Sequence, residues 1–267
     1  LALVSIVGLW SCGPNENEVS FTVVADNQYP TRGDSVTISV TASSELEMLK
    51  GIQVSVMSVD TNGNEISFLS ESADASDLTY EGSFSFRVGP SVALGEKVNV
   101  VITATDALDG SFENVDESVT AVAYMKMYRP NAEAGHQYGP LNGGYNLVDA
   151  VQAYRDAPNN TKDMVDKSEQ KKELSNTFSA HAESNTQFVD LGKDFEIETL
   201  HTVSAAEKFA ERSPSTQITV SEGTKFMAKL RGSDDYAIVV IKSIDPEFEQ
   251  QPTENKGKYV FDIFKLQ

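Results

Sequence analysis

Cysteine is almost missing from this sequence: Cys12 is the single one in 267 residues. No intramolecular disulfide can form, so stability has to come from core packing, which two bodies of ordinary domain size can supply. Basic residues are also scarce, with 21 Lys and Arg against 40 Asp and Glu and a formal net charge of −19. The acidity runs through both halves, and the one basic pair, Lys171-Lys172, sits among Glu169 and Glu173. Binding nucleic acid takes clustered Lys and Arg to neutralise phosphates, so that partner class is excluded. Adsorption of the folded surface onto anionic headgroups is disfavoured for the same reason. Histidine occurs three times, at His136, His181 and His201, without His-Glu-x-x-His spacing or a cysteine pair; no metal-ligand pattern results. A Gly-x-Ser-x-Gly elbow, a P-loop and a dinucleotide fingerprint are all missing. No catalytic residue and no cofactor are implied. Forty acidic residues also leave no way to nominate a glycosidase carboxylate pair, which is defined by separation in space. Hydrophobic content of 40% with 23% charged residues marks globular material.

What is present begins with the apolar run from Leu1 to Trp10, closed by the small Ser11 and then Cys12. Polarity changes at once, through Pro14, Asn15, Glu16, Asn17 and Glu18. Crossing a bilayer takes about 20 apolar residues, so this run is too short for a span and has the length of a signal-peptide core. A buried strand with a free thiol is the competing reading, and Gly8 and the Gly13-Pro14 break argue against it. Leu9-Trp10-Ser11-Cys12 resembles the lipobox of bacterial lipoproteins, with Trp10 where a small or β-branched residue is usual. The resemblance implies a signal peptide over residues 1–11, lipidation of Cys12, and residues 12–18 as a short tether. The run has no Met and no basic n-region, so further residues are expected upstream. Each buried CH₂ contributes about 0.8 kcal/mol, and stable anchoring takes more than one chain, which a lipoprotein cysteine carries.

Residues 19–124 alternate apolar and polar positions. The rows are Val19, Phe21, Val23; Val36, Ile38, Val40; Ile52, Val54, Val56; Phe84, Phe86, Val88; Val98, Val100, Ile102; and Val119, Ala121, Ala123. This is the pattern of strands with one buried face. Turns fall at Arg32-Gly33-Asp34, Asn62-Gly63, Val88-Gly89-Pro90 and Leu108-Asp109-Gly110. The spacing predicts a mainly β protein beginning with an immunoglobulin-like antiparallel β-sandwich. The Thr-rich strands and Val101-Ile102-Thr103-Ala104-Thr105-Asp106 resemble bacterial immunoglobulin-like and cadherin-like modules. That resemblance makes Asp26, Asp106 and Asp109, at strand ends, calcium candidates; Asx turns explain them equally well. Asp60, Asn62, Asn64 and Glu71 echo a calcium loop, but its glycine is misplaced, and a hairpin is expected. Gly33-Asp34-Ser35 resembles a lipase nucleophile motif but has no downstream Asp-x-x-His.

Gly, Pro and Asn crowd residues 125–144, which predicts a linker there. Tyr124, Tyr128, Tyr138, Tyr145 and Tyr154 gather around it. Their rings suit stacking on sugars, and Tyr128, Tyr138 and Tyr145 are ligand candidates; packing of a joint is the alternative. Residues 145–267 read as a smaller α+β domain with an antiparallel sheet. A strand is expected over 145–151, and a loop or short exposed helix over 155–176. Ser204-Ala205-Ala206-Glu207 predicts a capping box opening a helix over 204–212. A meander follows through Lys225–Arg231, Tyr236–Ile241, apolar on both faces and so central, and Lys258–Phe264. The Phe226-x-Ala228-Lys229-Leu230-Arg231-Gly232 turn and the Tyr236–Lys242 strand resemble C-terminal modules of exported lipoproteins of Bacteroidetes-type bacteria. That family has no transferable activity or site. In it, acids after the lipid cysteine, here Glu16 and Glu18, accompany surface display. Asp34-Ser35-Val36 is similar to its O-glycosylation tripeptide, although a turn entering a strand explains it too.

The expected function is therefore a lipid-anchored cell-envelope protein of the outer membrane, acting as a non-catalytic binding module. A glycan or another envelope protein is the expected partner. An accessory glycan-binding role in polysaccharide uptake and a hydrolase acting on envelope or dietary polymers are the alternatives. Cys12→Ala is expected to move the protein from the membrane pellet to the soluble fraction, read by fractionation and mass spectrometry of the mature N-terminus. Retention of the variant in the pellet would contradict the anchor.

Overall fold

The computed structural model describes residues 17–141, 143–170, 172–246 and 256–267. The leader and Cys12 lie outside the described residues. The chain forms two units that divide between Ala123 and Tyr124.

The first unit has seven strands: β1 (Val19–Ala25), β2 (Ser35–Ser44), β3 (Leu49–Val59), β4 (Glu65–Asp74), β5 (Thr79–Arg87), β6 (Lys97–Asp106) and β7 (Ser111–Thr120). They make a three-stranded antiparallel sheet, β1-β2-β5, and a four-stranded one, β4-β3-β6-β7. Val36, Ile38, Val40, Phe84 and Phe86 of the first sheet share one core with Ile52, Val54, Val56, Val100 and Ile102 of the second. This is the expected immunoglobulin-like sandwich, closed without a disulfide. The polar strand β4 packs Ile66, Phe68, Leu69 and Ala73, all partly buried, against that core, because it is an edge strand.

The chain enters the sandwich at one pole and leaves it at the other. Asn17 and Glu18, expected in the tether, are instead fixed. The Asn17 side-chain oxygen accepts from the Leu46 N–H (3.0 Å) and the Ser44 hydroxyl (2.8 Å), and its amide donates to Asp106 (3.0 Å). The Glu45 N–H donates to the Glu18 carbonyl at 3.0 Å. At the far pole, the Thr120 and Val122 N–H groups donate to the carbonyls of Gln28 and Pro30.

The second unit holds β8 (Met125–Gly135), β9 (Gly144–Asn146), β10 (Val151–Ala153), β11 (Met164–Asp166), β12 (Thr177–Ser179), β13 (Gln187–Asp190), α1 (Thr202–Ala210), β14 (Gln217–Thr219), β15 (Lys225–Lys229), β16 (Tyr236–Asp245) and β17 (Lys258–Leu266). A sheet of short strands, β10-β9-β11-β12-β14, faces a sheet ordered β13-β15-β16-β17-β8. Tyr145, Met164 and Phe178 of the first meet Phe188, Phe226, Val239, Tyr259 and Phe261 of the second. On the other face of the second sheet, Val189, Met227 and Ile238 pack with Ala205 and Phe209 of α1. β16 is thus central and covered on both faces, as its apolar run implied.

Three expectations are corrected here. Residues 125–144 are not a linker: Met125–Gly135 pairs with β17 from Leu266 back to Lys258. The misleading Pro130 sits on an edge strand where the register shifts, next to Asn131 at φ +49°, a placement that proline tolerates. The strand expected over 145–151 is a hairpin, β9 to β10, and a Cβ on Gly144 would meet the Ala153 carbonyl at 2.6 Å. The polar stretch 155–176 contains β11, whose Met164 and Asp166 are fully buried.

The helix begins at Thr202, and its cap is His201, not Ser204. His201 Nδ1 accepts from the Ser204 N–H (3.4 Å) while the Ser204 hydroxyl accepts from the His201 N–H (2.9 Å). Accepting through Nδ1 requires that nitrogen to be unprotonated. Burial holds His201 below its ordinary 6.5, against an opposing pull from Glu207. Between the folded value and 6.5 the unfolded chain binds more protons than the folded one, so stability falls as pH drops through that window. His201→Asn keeps a capping oxygen without titrating. Urea melts between pH 7 and pH 5 are expected to show a smaller loss of stability for this variant than for the parent.

Candidate functional site

The second unit carries an open groove of about 390 Å³. One wall is the edge strand β8, through Arg129, Asn131 and Glu133; the other is the β10 hairpin, through Val151, Gln152 and Tyr154. The Gln152 amide donates to the Glu133 carbonyl at 3.2 Å, which fixes the spacing of the walls. The register shift in β8 turns Asn131 so that its N–H donates to Asp262 (2.8 Å) and its side-chain oxygen accepts from Lys242 (3.1 Å). Glu133 is paired with Lys258 at 2.7 Å. Tyr145 forms the floor, edge-on to Phe261 with ring centroids 5.0 Å apart. Burial pushes its phenol up to about 12, against the pull of the Arg129 guanidinium. Tyr154, 57% exposed, offers a ring face at the rim.

The ligand candidates among the tyrosines separate. Tyr145 is buried and cannot serve as a stacking platform, because the sheet pairing that places it in β9 turns it into the core. Tyr128 is half-exposed, but the Lys265 ammonium lies 4.4 Å from its ring centroid, a cation–π contact. Lys265 also donates to the Val148 carbonyl, and burial pushes its ammonium down. Tyr138 lies between His136 (5.8 Å) and Arg155 (5.9 Å). Neither Tyr128 nor Tyr138 lines the groove. Tyr154 does, and its position one residue past β10 is what no sequence pattern singled out.

The histidines serve the backbone. Nδ1 of His136 accepts from the Tyr138 N–H (3.0 Å), Nδ1 of His181 from the Glu183 N–H (3.3 Å), and Nδ1 of His201 caps α1. Among the described residues no group of three or more His, Cys, Asp or Glu could hold a metal ion. The calcium candidates each have partners within the protein. Asp26 accepts from the Thr37 N–H at 2.9 Å. Asp106 accepts from the Leu108 and Gly110 N–H groups and from Asn17; burial works to raise its carboxyl, and the hydrogen bonds outweigh that and hold it low. Asp109, at φ +63°, pairs with Lys50 at 2.6 Å. In the Asp60–Asn64 turn the Asp60 carboxylate accepts from the Asn62 and Asn64 N–H groups, which is hairpin chemistry. Asp34 of the lipase-like triplet accepts from Thr31, and Ser35 begins β2.

Two wholly buried carboxylates were invisible in the sequence. Asp163 accepts from the Leu147 N–H, the Thr186 hydroxyl and two nitrogens of Arg231. Asp166 accepts from the Tyr259 hydroxyl (3.0 Å), the N–H groups of Gln137 and Ser168, and the hydroxyls of Ser168 and Ser175. Burial is the main cause that raises the Tyr259 phenol, with Asp166 adding to it. Each of the two carboxylates is thus held by several donors from different elements.

No family model and no curated protein matches this chain. Among solved structures it is similar to Spo0M, the sporulation control protein of Bacillus subtilis. That match has a TM-score of 0.28 at 10% identity, over 83% of this chain and 78% of that one. A likeness that distant carries no argument about either fold or function.

Breaking a buried ion pair by removing one partner costs about 3–5 kcal/mol. Arg231→Ala strands Asp163, whose side chain has no exposure, and is expected to lower the stability of the second unit by that amount in urea unfolding. A loss under about 1 kcal/mol, the usual ceiling for exposed pairs, would show that the pair is solvated.

Proposed function

We propose that this chain is a lipid-anchored cell-envelope protein of the outer membrane that acts as a non-catalytic binding module. The Leu9-Trp10-Ser11-Cys12 sequence carries the anchoring part of this reading. The binding part is supported by a folded body whose buried carboxylates are saturated with donors and whose groove is open and polar. Hydrolysis of a glycosidic bond takes two available carboxylates, and Glu133, the one carboxylate among the described lining residues, is paired with Lys258.

A second reading makes the ligand a glycan, and Tyr154 favours it. An exposed ring beside a guanidinium, a carboxylate and two amides suits a neutral ligand rich in hydroxyls, with an apolar face for the ring and polar groups to orient it. On a glycan array the parent protein is expected to give a saccharide hit. Tyr154→Ala is expected to weaken that hit about tenfold, or about 1.4 kcal/mol, with no change in thermal stability. A blank array removes the glycan reading and leaves the module with a protein partner.

A further inference from the structure

Among the described residues, the pole at which the chain enters the sandwich exposes four large apolar side chains, against Val24 and Tyr29 towards the other. Leu46 and Met48 lie between β2 and β3, Leu78 between β4 and β5, and Leu108 between β6 and β7. They are 59%, 56%, 39% and 73% exposed. Backbone hydrogen bonds tie the loops into one surface: Ala107 N–H to the Met48 carbonyl, Ser44 N–H to Leu78, and Leu49 N–H to Asp77, each 2.8 Å. Asn17 sits in the same surface, bonded to Leu46, Ser44 and Asp106. At the opposite pole the Asp60–Asn64 turn is polar and hydrogen-bonded to itself.

Only residues 13–16 separate Cys12 from Asn17. Even fully extended, five residue steps span about 18 Å, so an acylated Cys12 holds this pole against the headgroups. We propose that the pole is a membrane-contact surface, with Leu46, Met48, Leu78 and Leu108 seated in the interface of the bilayer that holds the lipid. The proposal rests on acylation of Cys12 and goes beyond it by fixing which end of the sandwich meets the lipid. The bilayer, not a second copy of the chain, is the fitting occupant. Glu45, Glu47, Asp74 and Asp77 flank the leucines, and a second copy would bring like charges together across the contact. The same acids make the contact apolar in origin, so it should favour zwitterionic headgroups and persist at high salt, where exposed charges are screened.

The test uses the full acylated chain in phosphatidylcholine vesicles containing nitroxide-labelled phosphatidylcholine. Acylation blocks the one native thiol, so Leu108→Cys and Asn62→Cys can each carry a thiol-directed environment-sensitive fluorophore, one at each pole. The expected result is flotation of both proteins, with a blue shift and several-fold stronger nitroxide quenching at position 108 than at position 62, unchanged in high salt. Flotation with equal, weak quenching at both positions would overturn the proposal and leave the anchor intact. Failure to float would remove the anchor and the proposal with it. A blue shift at position 108 that grows with protein concentration and ignores the nitroxide would show that a second copy covers the pole, and would overturn it too.

Discussion

Two carboxylates without access to water, Asp163 and Asp166, hold the short-stranded sheet of the second unit against the long-stranded one. Strands of three residues such as β9, β11 and β12 contribute few ladder bonds, and short strands are marginal without a packed face. Asp163 answers this by joining the end of β9 to the turn after β15 through Arg231, and Asp166 by joining β11 to β17 through Tyr259. Burying a polar group is tolerable only with hydrogen bonding, and both have it. Arg231 is held at φ +54°, a conformation that side chains avoid and that the ion pair helps to secure. The absence of disulfides is thus met by apolar packing in the sandwich and by packing plus buried polar clamps in the second unit.

Much of the fold was legible because the hydrophobic rows have period two. Val36, Ile38 and Val40, and Val98, Val100 and Ile102, fall where the alternation put them, all fully buried. The Tyr236–Ile241 run, apolar on both faces, is central. What was illegible has a common cause: features whose partners are remote in sequence. Pro130 signals a break locally, yet its strand pairs with residues more than a hundred positions later. β11 reads as polar because its Asp166 is paid for by Tyr259, far along the chain. His201 does not belong to the usual capping set, so the sequence pattern points to Ser204, its reciprocal partner, as the cap.

The site was less legible than the fold. Tyrosine density near residues 124–154 marked the stretch that also lines the groove between β8 and β10. It could not rank the rings, because exposure depends on which strand face each occupies. Tyr145 is turned inward by pairing with both β10 and β11, while Tyr154, just beyond the hairpin, is released to solvent. Arg129, Asn131 and Gln152 carry no motif and meet only through the register of β8 and β17 and the β9–β10 turn.

The opposite placement of the two ends of the sandwich has a mechanical consequence. Strands of about ten residues advance about 3.3 Å each, so the chain leaves the first unit at Ala123 about 30 Å from where it came in. That length is several times the screening distance of about 8 Å at physiological ionic strength. Were the entry end moored as proposed, the sandwich would act as a standoff, and the departing chain would emerge beyond the reach of headgroup charge.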